Sequence, residues 1–82
     1  MMTVKVLYFG RLKELSGLAE EMVEMRDGSR IEDLFSACSA VRPELTKFRT
    51  SLVASCNREF AAWDTPLHGG DEIGFLPPVS GG

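Results

Sequence analysis

Hydrophobic residues along this chain follow two periods in turn, and each period predicts an element. From Thr3 to Phe9 the period is two: Val4, Val6 and Tyr8 line one face of a strand, and Thr3, Lys5, Leu7 and Phe9 line the other. The second face starts polar and ends apolar, so the far end of this strand is expected to be covered on both sides. Gly10 breaks the pattern. Leu12 and Leu15, at i and i+3 within Arg11 to Ser16, predict a short helical turn closed by Gly17. Glu21 to Met25 predicts a second strand with Val23 and Met25 on one face, and Asp27-Gly28 follows as a turn signal.

The period then becomes helical. Ile31, Leu34, Phe35, Cys38 and Val41 form a single apolar stripe, as expected of a helix lying on a sheet. Ser29-x-x-Glu32 reads as a capping box at its start, and Glu32 and Asp33 put negative charge near the positive end of the helix dipole. Arg42-Pro43 ends the helix, because the proline ring disfavours helical geometry in the residue before it. Leu45 to Thr50 is expected to be a connector. Leu52 to Cys56 predicts a third strand, and Asn57-Arg58 a turn into a short strand at Glu59 to Ala62. Asp64-Thr65-Pro66 is a further turn, after which Leu67 tucks inward. Gly69-Gly70-Asp71 leads into the last strand, Glu72 to Leu76, which Pro77-Pro78 stops because proline cannot continue a hydrogen-bonded ladder. One main helix covering one face of a mixed sheet is a two-layer α+β domain.

Composition narrows what such a domain can do. Eighty-two residues make one domain, too small to enclose a large enzyme pocket. Apolar residues are 44% and charged residues 26%, the balance of a globular chain rather than a disordered one. Twelve acids against nine bases give a net charge of -3, which argues against nucleic acid as a partner. No apolar run is long enough for a bilayer, and the N-terminus lacks a signal-peptide pattern, so the expected setting is the cytoplasm, with no membrane role. Cys38 and Cys56 are too far apart for a redox or zinc pair and read as small, mostly buried thiols. His68, the only histidine, precedes Gly69-Gly70 and reads as a turn residue, so no metal site is expected. Glu20, Glu21, Glu24 and Asp27 read as a solvated hairpin edge rather than a docking site.

The remaining chemistry is at the C-terminus. A diproline stiffens the exit from the last strand, and Gly81-Gly82 close the sequence. Such glycines are either leftover tail or a slender tip, without Cβ atoms, that fits a narrow passage and presents a carboxylate. The run Gly70-Asp71-Glu72-Ile73-Gly74-Phe75-Leu76-Pro77-Pro78-Val79-Ser80-Gly81-Gly82 resembles the ending of the molybdopterin synthase small-subunit family, sulfur carriers of the ubiquitin-like β-grasp superfamily. Val4 to Gly17 resembles the first strand and following turn of that family. Gly74 departs from it, where the resemblance would put alanine.

This resemblance implies a β-grasp body over residues 1–76 and a flexible sulfur-carrying tail over 77–82. It implies that an E1-like adenylating enzyme uses ATP to activate Gly82, and that a sulfur donor protein then leaves a thiocarboxylate there. With Gly81 at the tip, the tail would enter the large subunit of molybdopterin synthase, in a heterotetramer, and give sulfur to cyclic pyranopterin monophosphate. The chain itself would bind no cofactor and hold no active site of its own. Pro77, Pro78, Val79 and Ser80 would line the passage with the partner. Phe9, Phe60 and Leu76 are assigned to an apolar docking surface beside the tail, the alternative being ordinary core. A ubiquitin-like protein modifier, a carrier for thiamine thiazole synthesis and a binding module with an inert tail are the competing functions.

Overall fold

The computed structural model describes residues 1–77, so Pro78, Val79, Ser80, Gly81 and Gly82 lie outside the described residues. Eight elements follow in order. They are β1 (Met2–Tyr8), α1 (Arg11–Ser16), β2 (Glu20–Met25), α2 (Ile31–Val41), a 3-10 helix (Pro43–Ser51), β3 (Val53–Cys56), β4 (Glu59–Ala61) and β5 (Glu72–Leu76). The strands form one mixed sheet in the order β2-β1-β5-β3-β4. Among the described residues only the β1–β5 pair is parallel, with Val6 opposite Ile73 and Tyr8 opposite Phe75. This is the β-grasp arrangement, with α2 as the main helix packed on the sheet.

The period-two reading of the first strand holds for its two faces, but the cover expected on the second face at its far end is not found: Leu7 is half-buried and Phe9 is exposed. Val4, Val6 and Tyr8 are buried under α2, together with Ile73 and Phe75 of β5. Ile31, Leu34, Phe35 and Cys38 of α2 close the layer from above. Each large side chain removed from water here contributes roughly 1.5–3 kcal/mol. Phe75 meets Phe35 edge to face at 5.1 Å and stacks on Trp63 at 5.7 Å, and the Arg49 guanidinium lies 3.5 Å over the Trp63 ring. Gly17 closes α1 in the left-handed conformation, φ 74°, and its amide donates to the Lys13 carbonyl, an ending that suits glycine.

Four expectations need correction. Ser29 and Glu32 do not form the capping box. Arg30 takes the N-cap position, and its amide donates to the Asp33 carboxylate at 2.8 Å. The next two helix amides are satisfied from elsewhere in the chain: Ile31 donates to the Thr65 carbonyl at 3.0 Å and Glu32 to the Trp63 carbonyl at 2.9 Å. With loop 63–65 already covering those donors, a serine hydroxyl there has little left to do. Val41, counted in the apolar stripe, is 73% exposed. It is the last residue of α2 and has drifted to the edge of the stripe. The 45–50 connector lies within the 3-10 helix Pro43–Ser51, with proline in its first turn and Leu45 buried. The third strand begins one residue late, at Val53, leaving Leu52 as a buried cap residue.

Candidate functional site

Helix α2 covers one face of the sheet and leaves the other face open. Strand parity decides what that open face carries. The register sets Leu7 of β1 opposite Gly74 of β5, Gly74 opposite Ser55 of β3, and Ser55 opposite Phe60 of β4. One row therefore crosses four strands. In the adjacent row Leu76 faces Val53, and Phe9 follows β1 with the parity of Leu7. Phe60 is 79% exposed and Phe9 40%. Both are surface residues, and Leu76 is half-buried beside them.

Together these side chains surround an open hollow of about 280 Å³, with Arg58 and Glu72 on its rim. Its floor depends on a missing atom. A Cβ added to Gly74 would lie 2.7 Å from the Ser55 hydroxyl oxygen and 3.1 Å from Cε2 of Phe9. Glycine at this position lets the Phe9 ring fold back across the last strand.

The rim is set by an unusual turn. Asn57 and Arg58 both have positive φ, 52° and 72°, and form the two-residue loop between β3 and β4. Left-handed geometry is costly for a long side chain such as arginine. Asn57 holds the loop in place. Its amide donates to the Glu72 carbonyl at 2.8 Å, its side-chain amide donates to the Asp71 carboxylate at 3.0 Å, and its side-chain oxygen accepts from the Glu72 amide at 3.0 Å. Arg58 is thereby presented outward, 3.8 Å from Glu72. Sequence reasoning singled out Phe9, Phe60 and Leu76 but missed Leu7, Ser55 and Arg58. Leu7 shares the parity of Phe9 and was legible on that ground; Ser55 and Arg58 needed the cross-strand register.

Pro77 leaves the sheet one residue after Leu76, so the chain departs beside the hollow. The tail positions from Pro78 to Gly82 fall outside the described residues. Elsewhere, His68 is an exposed turn residue whose amide donates to the Asp71 carboxylate at 2.8 Å. Cys38 is buried and Cys56 half-buried, both free. Burial raises the Cys38 thiol above its ordinary pKa; for Cys56, burial and then the nearby Asp71 carboxylate do the same. Both shifts favour the protonated thiol over the thiolate. Among the described residues no cluster of His, Cys, Asp or Glu is placed to hold a metal ion, and no helix is long and apolar enough to cross a membrane.

Known proteins share this chain's sequence and architecture along nearly its whole length. The molybdopterin synthase sulfur carrier subunit of Chlamydomonas reinhardtii is 36% identical over 83 residues, covering 99% of this chain and 100% of that one. A solved complex of subunits 1 and 2 of the molybdopterin-converting factor from Helicobacter pylori contains a chain 29% identical, TM-score 0.70, with 99% and 100% covered. Small archaeal modifier protein 1 from Methanosarcina acetivorans is 29% identical, TM-score 0.82, with 100% and 98% covered. The ThiS family model matches residues 6–82, and the chain belongs to the ThiS family.

Proposed function

We propose that this chain is the small, sulfur-carrying subunit of a molybdopterin synthase and acts in molybdenum cofactor biosynthesis. The observation that carries the proposal is the exposed apolar hollow of Phe9, Phe60 and Leu76 at the point where the chain leaves for its C-terminus. Exposed aromatics of this kind serve as anchors for a partner. The likeness to sulfur carrier subunits, one of them in a two-subunit complex, supports the large subunit as that partner.

The chemistry belongs to Gly82. A carboxylate is a poor electrophile, so an E1-like partner first couples it to AMP from ATP, with pyrophosphate leaving. A sulfur donor protein then displaces AMP and leaves a thiocarboxylate, whose sulfur is the stronger nucleophile. Gly81 and the residues from Pro77 to Ser80 thread the tip into the large subunit, which supplies the acid-base groups. The body is a handle for both partners, and the chain needs no cofactor of its own.

Intact-mass measurement of protein taken from cells tests the assignment: one terminal oxygen is replaced by sulfur in the carrier. A terminus that is never modified, in cells making the cofactor, removes the proposal. Phe60→Asp keeps the fold and lowers affinity for the large subunit by at least about tenfold, ~1.4 kcal/mol. Its unfolding would instead make Phe60 a structural residue. The likeness to small archaeal modifier protein 1 favours a second use, attachment of Gly82 to lysines of other proteins. Isopeptide conjugates carrying this chain would demonstrate it.

A further inference from the structure

The sheet has a second unpartnered feature, at its β2 edge. In the order β2-β1-β5-β3-β4, β2 is an outer strand, and among the described residues one of its backbone edges faces no other strand. The Tyr8 amide donates to the Ala19 carbonyl at 2.9 Å, and the register pairs Val6 with Glu21 and Val4 with Val23. Antiparallel ladders alternate, so the odd-numbered residues of β2 turn their amides and carbonyls to β1. Those of Glu20, Met22 and Glu24 point outward.

Beside this edge, a groove of about 240 Å³ runs between β2 and α2, with Val23, Ala37, Cys38 and Val41 among its walls. Met22 is 60% exposed and Val41 73%. The strand carries Glu20, Glu21 and Glu24 and no base. Lys5 stands 3.6 Å from Glu20 and Arg42 3.0 Å from Glu21, whereas Glu24 has no ion-pair partner among the described residues.

The charge selects the occupant. A second copy, aligned antiparallel to use all three outward positions, would set Glu20 of each chain against Glu24 of the other. Like charges directly opposite destabilise a ladder. A basic strand reverses the sign of that interaction. We propose that the free edge of β2 takes a basic, extended segment of a partner protein as a sixth strand. Apolar side chains of one parity enter the groove, and Lys or Arg of the other parity stand beside Glu20 and Glu24. This surface is separate from the hollow and does not depend on the sulfur-carrier reading.

The test is an amide NMR titration of the full chain with the peptide Lys-Val-Lys-Val-Lys-Val-Lys and its Glu-for-Lys counterpart. The expected shifts are confined to β2 and the C-terminal half of α2, with amide exchange slowed at Glu20, Met22 and Glu24. Only the basic peptide binds. Glu24→Lys, at an exposed position, weakens its binding at least about threefold, the scale of a reversed cross-strand charge pair. Equal binding of both peptides, shifts centred on Phe9 and Phe60, unchanged affinity in Glu24→Lys, or dimerisation of the free protein through β2 would each overturn the proposal.

Discussion

At Gly74 the open face is controlled by a single hydrogen atom. A methyl group there meets the ends of two side chains, not backbone: Ser55 Oγ at 2.7 Å and Phe9 Cε2 at 3.1 Å. Both can move, Ser55 by changing rotamer and the ring by lifting a few tenths of an ångström. Alanine also removes backbone freedom from the unfolded chain, worth about 0.5–1 kcal/mol in a strand, against a crowding cost of similar size. Gly74→Ala is therefore expected to leave stability within ~1 kcal/mol of the parent, since the two effects oppose. Its effect falls on the surface instead: the ring of Phe9 is displaced and docking to the large subunit weakens. Ring proton shifts of Phe9, read beside a denaturation curve, check this. A ring left in place, or a collapse of stability, would show that the glycine is not the floor of the hollow.

At the scale of elements, the start of α2 shows what a local motif leaves out. Ser29-x-x-Glu32 has the spacing of a capping box, yet the working contact is one residue later, from the Arg30 amide to Asp33. The first helical amides are met by carbonyls of Thr65 and Trp63, more than thirty residues away in sequence, and Leu67 donates its amide back to the Ser29 carbonyl. Asp33→Ala is expected to cost ~1 kcal/mol, the usual worth of such a cap, and Ser29→Ala only a few tenths. Urea unfolding of the two variants distinguishes them, and the reverse ranking would restore the sequence motif. The elements themselves were legible because parity and the helical stripe are local. Val4, Val6 and Tyr8 were placed on one face from alternation alone, and the structure shows that face to be the buried one. What was not legible came from partners distant in the chain: the loop that caps α2, the exposed end of the stripe at Val41, and the row joining Leu7, Gly74, Ser55 and Phe60. Even the 3-10 helix Pro43–Ser51 lacked a clean period, since its apolar residues Leu45 and Phe48 are too few to announce a face.

Across the whole molecule, one part-buried polar contact ties the β2 end of the sheet to the body. The Tyr8 hydroxyl donates to the Glu21 carboxylate, which also accepts from Arg42 at 3.0 Å, so β1, β2 and the end of α2 meet at one carboxylate. Tyr8 is held well above its ordinary pKa of 10.0, first by burial and next by its hydrogen bond to Glu21. Ionisation would place a phenolate in the core beside a carboxylate. The folded state thus keeps its proton where the unfolded chain gives it up. A group raised on folding contributes stability that is complete below its unfolded pKa and is lost as pH rises above it. Stability should accordingly fall once pH passes 10.0, with an earlier onset near 9.0 from the buried Cys38 thiol, raised chiefly by desolvation. Tyr8→Phe removes the proton and hence the later part of the decline, at a cost of ~1 kcal/mol at neutral pH for the lost hydrogen bond. Cys38→Ala removes the earlier part. Urea midpoints from about pH 8 to about pH 11 for the parent and both variants separate the two contributions. If Tyr8→Phe declined in parallel with the parent above pH 10.0, the phenol would not be the group that couples proton release to unfolding.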